Sequence, residues 1–152
     1  MLGKRKKPAA KRKKPVAKRK KPVARRKKPA QHPSLSIPER ATLAEVQAAL
    51  GVKGPPAVEV EHGVQQIFYH LPELGFWVFF DGEMRVQSLR YDGPFPHAVE
   101  GVRIGDGEAR VLKVLGEPHR RVMFAHNWGY YLPRFMRVDF DAPGGRVETI
   151  FR

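Results

Sequence analysis

The chain has 152 residues, no cysteine and a formal net charge of +14. The length suits one domain with an appendage, or a tail on two small repeats. The lack of cysteine excludes a disulfide framework, a thiolate metal site and a lipidated cysteine, so we expect a reducing compartment. No signal-peptide core follows the N-terminus and no segment approaches a membrane span. We therefore expect a soluble, cytoplasmic protein that is not exported.

The positive charge is concentrated at the N-terminus. Residues 1–33 contain 16 of the 29 Lys and Arg and none of the 15 Asp and Glu, which leaves 13 basic against 15 acidic residues, a net −2, in the remainder. A polycationic segment beside a weakly acidic body is typical of proteins that bind a polyanion. Nucleic acid is the first candidate partner and an anionic membrane surface the second.

The tail, residues 1–33, is built from a repeat. The motif Lys-Arg-Lys-Lys-Pro starts at Lys4 and recurs every seven residues, with Arg25 replacing lysine in the fourth copy. A coiled coil is excluded because each repeat holds a helix-breaking proline and its four adjacent cations leave no apolar seam. We expect a disordered, locally polyproline-like segment.

Cations on flexible side chains can bind the phosphates of DNA or RNA but cannot read bases in a fixed geometry. We therefore predict electrostatic binding that is independent of nucleic-acid sequence. The predicted binding residues are Lys4, Arg5, Lys6, Lys7, Lys11, Arg12, Lys13, Lys14, Lys18, Arg19, Lys20, Lys21, Arg25, Arg26, Lys27 and Lys28.

The Lys/Ala/Pro composition of the tail resembles the tails of linker histones and of bacterial histone-like proteins. The resemblance implies a nucleoid-associated protein if the source is bacterial and a nuclear one if it is eukaryotic. Two alternatives remain open. The tail is a low-complexity expansion that aids solubility, or residues 4–7 form a nuclear-import signal.

The body, residues 34–152, begins with a proline-containing linker and a helix. Thr42 is the expected N-cap, Glu45 its capping-box partner, and Gly51 the helix stop. The strands expected next are residues 58–61 and 66–71, followed by a hairpin of residues 76–80 and 84–91 across the Asp81-Gly82 turn.

A second helix is predicted within residues 101–118. Asp106 is the expected N-cap, an apolar stripe follows at helical spacing, and Gly116 with Pro118 ends the helix. The elements expected after it are a strand near residues 121–125, an aromatic segment at 128–132, and a hairpin of residues 135–141 with 147–151.

The two halves of the body repeat one order of elements, and Phe80-Asp81 matches Phe140-Asp141. We predict an α+β fold of two degenerate helix-plus-antiparallel-hairpin repeats, about residues 39–92 and 99–152, forming one small domain. Neither half can bury its apolar face alone, so the two either share one sheet or pack their sheets side by side.

A family resemblance rests on Ile104-Gly105-Asp106 together with four later positions, Val111, Leu115, Gly116 and Pro118. This pattern resembles the hydrophobic-Gly-polar, helix, hydrophobic-Gly-x-Pro signature of small β-barrel-assembly lipoproteins and of tandem-repeat β-lactamase-inhibitor proteins. The resemblance implies helices on one face of an antiparallel sheet, with the other face free to bind proteins. Those families are exported and carry a lipidated cysteine or disulfides, so we expect only the fold to carry over.

Comparison of the two hairpins suggests a protein-binding patch. In the second hairpin, alternation points Met136, Val138 and Phe140 inward. The same register in the first hairpin leaves Trp77 and Phe79 on the outer face, where large aromatics are typical anchors of protein interfaces. The alternatives are that a loop at residues 92–99 covers them, or that the turn shifts the register.

The sequence offers little for catalysis, metals or cofactors. It contains no Gly-x-Ser-x-Gly motif, no Walker-type loop and no cysteine nucleophile, so we expect a non-enzymatic protein without a cofactor. The histidines of the body lack metal-site spacing, so no metal is expected. The aromatic run at residues 126–131 could stack nucleic-acid bases, although core packing is the more usual role of such residues.

Overall fold

The computed structural model describes residues 35–152, so the heptapeptide tail and its 16 predicted nucleic-acid-binding residues lie outside the described residues. Two helices and eight strands make this part a mixed α+β domain. The helices are α1 (Leu43–Leu50) and α2 (Glu108–Leu115). The strands are β1 (Ala57–Glu61), β2 (Val64–Leu71), β3 (Phe76–Phe80), β4 (Val86–Asp92), β5 (Arg120–Val122), β6 (Asn127–Tyr130), β7 (Met136–Phe140) and β8 (Val147–Phe151). Neither helix is long and apolar enough to cross a bilayer.

All eight strands belong to one antiparallel sheet with the order β1-β2-β3-β4-β8-β7-β6-β5. Each half of the body supplies four consecutive strands, and the last strands of the two halves, β4 and β8, meet at the centre. Their register pairs Arg90 with Phe151, and Leu89 and Arg152 exchange two backbone hydrogen bonds of 2.7 and 2.9 Å. Of the two arrangements expected from the sequence, the structure has the shared sheet.

Helix α1 begins and ends where the sequence predicts. Thr42 is the N-cap, and the carboxylate of Glu45 accepts a 2.7 Å hydrogen bond from the Thr42 backbone N–H. This bond and a second one from the Thr42 hydroxyl lower the pKa of Glu45. Gly51 ends the helix with a left-handed backbone.

The start of α2 differs from the prediction. The N-cap is Gly107, and the Asp106 side chain makes no cap hydrogen bond to the helix. The Asp106 carboxylate instead accepts a 2.8 Å bond from the backbone N–H of Arg103, because aspartate also stabilises local turns. The predicted helix end at Gly116 is confirmed.

The strand predicted near residues 121–125 is shorter in the structure, and the predicted aromatic segment at 128–132 overlaps strand β6. Strand β5 ends at Val122 and a 3₁₀ turn, Met123–Ala125, occupies the rest of the predicted segment. Strand β6 ends at Tyr130. Both predicted hairpins form, as β3 with β4 and β7 with β8.

The core lies between one face of the sheet and the two helices. Val46 of α1 and Val111 of α2 are fully buried there with alternate residues of β3 and β7. One tyrosine of the sheet binds the segment that follows each helix. The Tyr69 hydroxyl donates to the Gly54 carbonyl after α1, and the Tyr130 hydroxyl donates to the Gly116 carbonyl after α2. Burial raises the pKa of Tyr130 to about 12.

Gly75 is a site where a side chain cannot be accommodated. Its φ is +58°, and a Cβ built on it would lie 2.0 Å from the backbone carbonyl oxygen of Asp92. Gly63 also has a positive φ, +78°, but a Cβ there would have nothing within 4 Å. A side chain at either position would adopt an unfavourable left-handed backbone, but only a side chain at Gly75 would also clash with Asp92.

We predict that Gly75→Ala destabilises the fold much more than Gly63→Ala. The control change adds only the left-handed strain, about 1–2 kcal/mol, whereas Gly75→Ala must also displace the start of the loop after β4. Urea unfolding of both variants measures the difference. Equal losses of stability would contradict the clash.

Candidate functional site

The sheet face opposite the helices, here called the outer face, carries Trp77 and Phe79. Both side chains are half-buried, while their neighbours Phe76, Val78 and Phe80 are buried in the core, so β3 has the predicted orientation. Trp77 keeps part of its surface exposed beside the loop that follows β4. Phe95 of that loop packs on the core side, with its ring centroid 4.7 Å from that of Tyr91.

Strand pairing aligns five side chains in one line across the outer face. The outer-face row consists of His70, Trp77, Arg90, Phe151 and Arg137, from β2, β3, β4, β8 and β7 in turn. Because neighbouring strands place paired residues on the same face, the five side chains touch in sequence.

The contacts along the row alternate between aromatic rings and cations. His70 stacks on Trp77 with ring centroids 3.5 Å apart. The guanidinium carbon of Arg90 lies 5.1 Å from the Trp77 ring and 5.7 Å from the Phe151 ring. The guanidinium carbon of Arg137 lies 3.9 Å from the centroid of the same Phe151 ring. Such cation–π contacts hold the arginines flat against the sheet.

Two carboxylates fix the row from one side. Asp92 accepts a 3.1 Å hydrogen bond from the indole N–H of Trp77 and forms a 3.1 Å ion pair with Arg90. Asp139 pairs with Arg137, with one oxygen 2.9 Å from Nε and the other 3.0 Å from a terminal nitrogen. Partial burial raises the pKa of Asp139 despite Arg137. Each arginine of the row is thus neutralised by its own carboxylate.

Beside the row lies an apolar cluster. Phe68 is buried on the outer face, with its ring centroid 5.3 Å from Trp77 and 5.8 Å from Phe79. Trp77 and Phe79 lie parallel with centroids 6.0 Å apart. An open depression of about 560 Å³ adjoins Phe79, and its wall also includes Val64, Phe135, Phe151, Arg90 and the polar side chains of Glu61, Gln66 and Gln87. This geometry can receive an apolar or aromatic side chain of another molecule.

Sequence reasoning identified Trp77 and Phe79 but missed the other members of this surface. Arg90 could have been found, because a hairpin with a known register places it opposite Trp77. Phe151 could not, because its place beside Arg90 depends on the long-range pairing of β4 with β8.

The aromatic run at residues 126–131 is divided between environments. Trp128 and Tyr130 are buried on the core side, whereas Tyr131 is exposed. Core packing is therefore the role of the first two rings, and they do not form a platform for bases. Within residues 35–152, no three His, Cys, Asp or Glu side chains form a group that could hold a metal ion.

Comparisons of the chain with protein-family models, with curated proteins and with solved structures found no match.

We predict that Trp77→Ala destabilises the fold less than Phe76→Ala. Phe76 is fully buried, and truncating such a ring typically costs about 3–5 kcal/mol. Trp77 is half-buried, so removing it forfeits its contacts along the row and with Phe68 and Phe79 but opens no cavity in the core. Chemical denaturation of the two single variants provides the comparison, and a cost for Trp77→Ala equal to that for Phe76→Ala would place the tryptophan in the core.

Proposed function

We propose that this protein is a non-enzymatic, nucleic-acid-associated protein that binds DNA or RNA electrostatically through its tail and another protein through its outer face. The observation that carries the first part is the tail sequence, in which 16 Lys and Arg recur with a seven-residue period and no Asp or Glu. By the same proposal the protein acts in the cytoplasm, at the nucleoid of a bacterium, or in the nucleus of a eukaryote.

The outer face supports a protein partner better than a nucleic-acid one. Tryptophan and arginine are the residue types most enriched at the energetic centres of protein interfaces, and the row presents both on a rigid sheet. A phosphate approaching Arg90 or Arg137 would meet Asp92 or Asp139 about 3 Å from each guanidinium. The net −2 of residues outside the tail adds to that repulsion.

We further propose that the two halves of the body are degenerate copies of one unit. Three structural correspondences support this proposal. The strand order is symmetric about the β4–β8 contact, the two central hairpins have register shifts after Phe79 and after Asp139, and each helix is followed by a carbonyl that accepts a tyrosine hydroxyl. Kinship with the small lipoprotein or inhibitor repeats named above remains part of this proposal.

In an alternative function, the body is a protein-interaction module of the inhibitor or immunity type, and the tail serves only for localisation or solubility. The free outer face favours this alternative as much as it favours the first proposal. The two differ in whether the tail binds nucleic acid, and a salt series measures that directly.

We predict that the full chain binds a short DNA duplex with a steep dependence on salt. If about 8 tail cations contact phosphates at once, log K falls against log salt with a slope near −7, at ~0.9 per phosphate. Deletion of one seven-residue repeat removes a quarter of the cations and lowers the slope by about 2, whether residues 11–17 or 18–24 are deleted.

The matched control is the body alone, residues 34–152, which keeps every residue that the structure describes. Fluorescence anisotropy at several salt concentrations with two unrelated duplexes gives both slope and sequence dependence. Equal affinity for the full chain and the body would overturn the proposal, and so would a strong preference for one duplex at fixed salt.

We predict that the double change Trp77→Ser and Phe79→Ser abolishes capture of the protein partner while DNA binding is unchanged. The control is Met123→Ser with Phe124→Ser, which removes two exposed apolar side chains, 72% and 91% accessible, from the 3₁₀ turn after β5. Affinity capture with each immobilised full-length variant measures the effect. Retained capture by the Trp77 and Phe79 variant would move the partner site elsewhere.

A further inference from the structure

The two edge strands of the sheet carry opposite charge. Strand β1 has the sequence Ala-Val-Glu-Val-Glu, and all five residues are exposed. Residues 54–84, which include β1, β2 and β3, contain five Asp and Glu but no Lys or Arg. At the other edge, β5 has the sequence Arg-Arg-Val, and residues 118–137 contain four Arg but no Asp or Glu.

Neither edge is paired on its outer side within residues 35–152, since β1 and β5 end the strand order. A free edge presents a row of backbone donors and acceptors that can pair with another strand. On the helix side of β1, Val58 and Val60 are 55% and 71% exposed, so β1 also offers apolar surface. Both edges thus have unused capacity for pairing.

Strand directions allow one copy to continue the sheet of another. Eight strands that alternate in direction leave β1 and β5 antiparallel to each other. A second copy in the same orientation therefore brings its β5 beside β1 in the antiparallel sense, with the helices of both copies on the same side.

The side-chain pattern selects the same pairing. Glu59 and Glu61 lie on the outer face of β1, and Arg120 lies on the outer face of β5, opposite Gly129. A register that keeps the two faces aligned places Arg120 opposite Glu59 or Glu61. The adjacent Arg121, whose guanidinium forms a 2.7 Å ion pair with Glu117 and lies over the Trp128 ring, then falls opposite Val58 or Val60, and the charge complementarity of the edges rests on Arg120.

Pairing of like edges is opposed by charge. Two β1 strands pairing with each other would bring glutamates opposite glutamates, and two β5 strands would bring arginines together. Like charges directly opposite each other destabilise strand pairs, whereas opposite charges stabilise them. Charge therefore disfavours pairing of two β1 strands or two β5 strands and favours pairing of β1 with β5.

We propose that a second copy of this chain is the partner of the sheet edge, with β5 of one copy pairing antiparallel to β1 of the next. The contact is head-to-tail, so it leaves a free β1 and a free β5 at the ends and can extend to a ring or helical filament. The three-residue length of β5 makes each contact small and the association weak. This proposal does not depend on what the tail or the outer-face row binds.

The test uses full-length protein without nucleic acid at about 150 mM salt, where charges more than about 8 Å apart are largely screened. Sedimentation equilibrium of the wild type over a wide concentration range should show an average mass that rises with concentration. The variants Glu59→Lys with Glu61→Lys, and separately Arg120→Glu, should each associate more weakly by on the order of tenfold, because attraction across the edge becomes repulsion.

An equimolar mixture of these two variants is the decisive arm. The basic β1 of the Glu59→Lys, Glu61→Lys variant can pair with the acidic β5 of the Arg120→Glu variant, and the unaltered β5 of the first can pair with the unaltered β1 of the second. The mixture should therefore regain association that neither variant shows alone. Controls with the same net charges are Glu73→Lys with Glu148→Lys, and Lys113→Glu, which change exposed residues away from the edges and should behave like wild type.

The proposal is overturned if the wild type keeps the monomer mass at every concentration, or if the mixture fails to regain association. Loss of association in the controls would attribute the effect to net charge and would also overturn it. If Arg120→Glu alone has no effect on association, β5 is not part of the contact and the head-to-tail arrangement is wrong.

Discussion

The pairing of β4 with β8 is the contact on which the rest of the domain depends. It joins two four-stranded meanders into one sheet through a three-residue register and the two backbone bonds between Leu89 and Arg152. Domains of about 60 residues bury a small fraction of their surface and are only marginally stable by themselves. Joined at β4 and β8, the two halves share a core that runs under both helices.

The same contact generates the outer-face row. Arg90 and Phe151 face each other across it, so the row crosses from one half of the chain to the other at that point. Trp77 and Phe151 are half-buried on this face and each has a polar or cationic neighbour: Asp92 accepts a hydrogen bond from the indole N–H of Trp77, and Phe151 lies between two guanidinium groups. Side chains held in this way would lose little conformational entropy if the row bound the protein partner proposed above.

Local patterns in the sequence predict much of this fold. The capping box of Thr42 and Glu45, the alternation in β3 and β7, and the Asp81-Gly82 turn depend on neighbouring residues, so they can be interpreted without a structure. Asp106 shows the limit of such patterns, because a carboxylate before a helix can cap it or close the preceding turn, and here it bonds to Arg103. Which of these two roles Asp106 takes depends on the backbone conformation of residues 101–107.

The surface chemistry is less predictable because it is made by strands that are distant in sequence. The sequence shows that residues 54–84 are acidic and residues 118–137 basic. Only the strand order shows that these two segments lie at opposite edges of one sheet. Likewise, Phe68 is part of a strand with alternating polarity, and only the register with β3 shows that it packs beneath Trp77 and Phe79 on the outer face.

The two proposals, tail binding to nucleic acid and pairing of the sheet edges, are linked through net charge. Each copy carries +14, to which the tail contributes +16 and the other residues −2, so free copies repel one another, which opposes any weak contact between edges. A polyanion that neutralises the tails removes this repulsion and also holds several copies on one molecule, which raises their effective concentration. If the tail binds nucleic acid and the edges pair as proposed, each process therefore favours the other, since two events that share a state are thermodynamically linked. Binding along a long duplex would then be cooperative, and it would be less cooperative in a variant with like-charged edges even though its tail is unchanged.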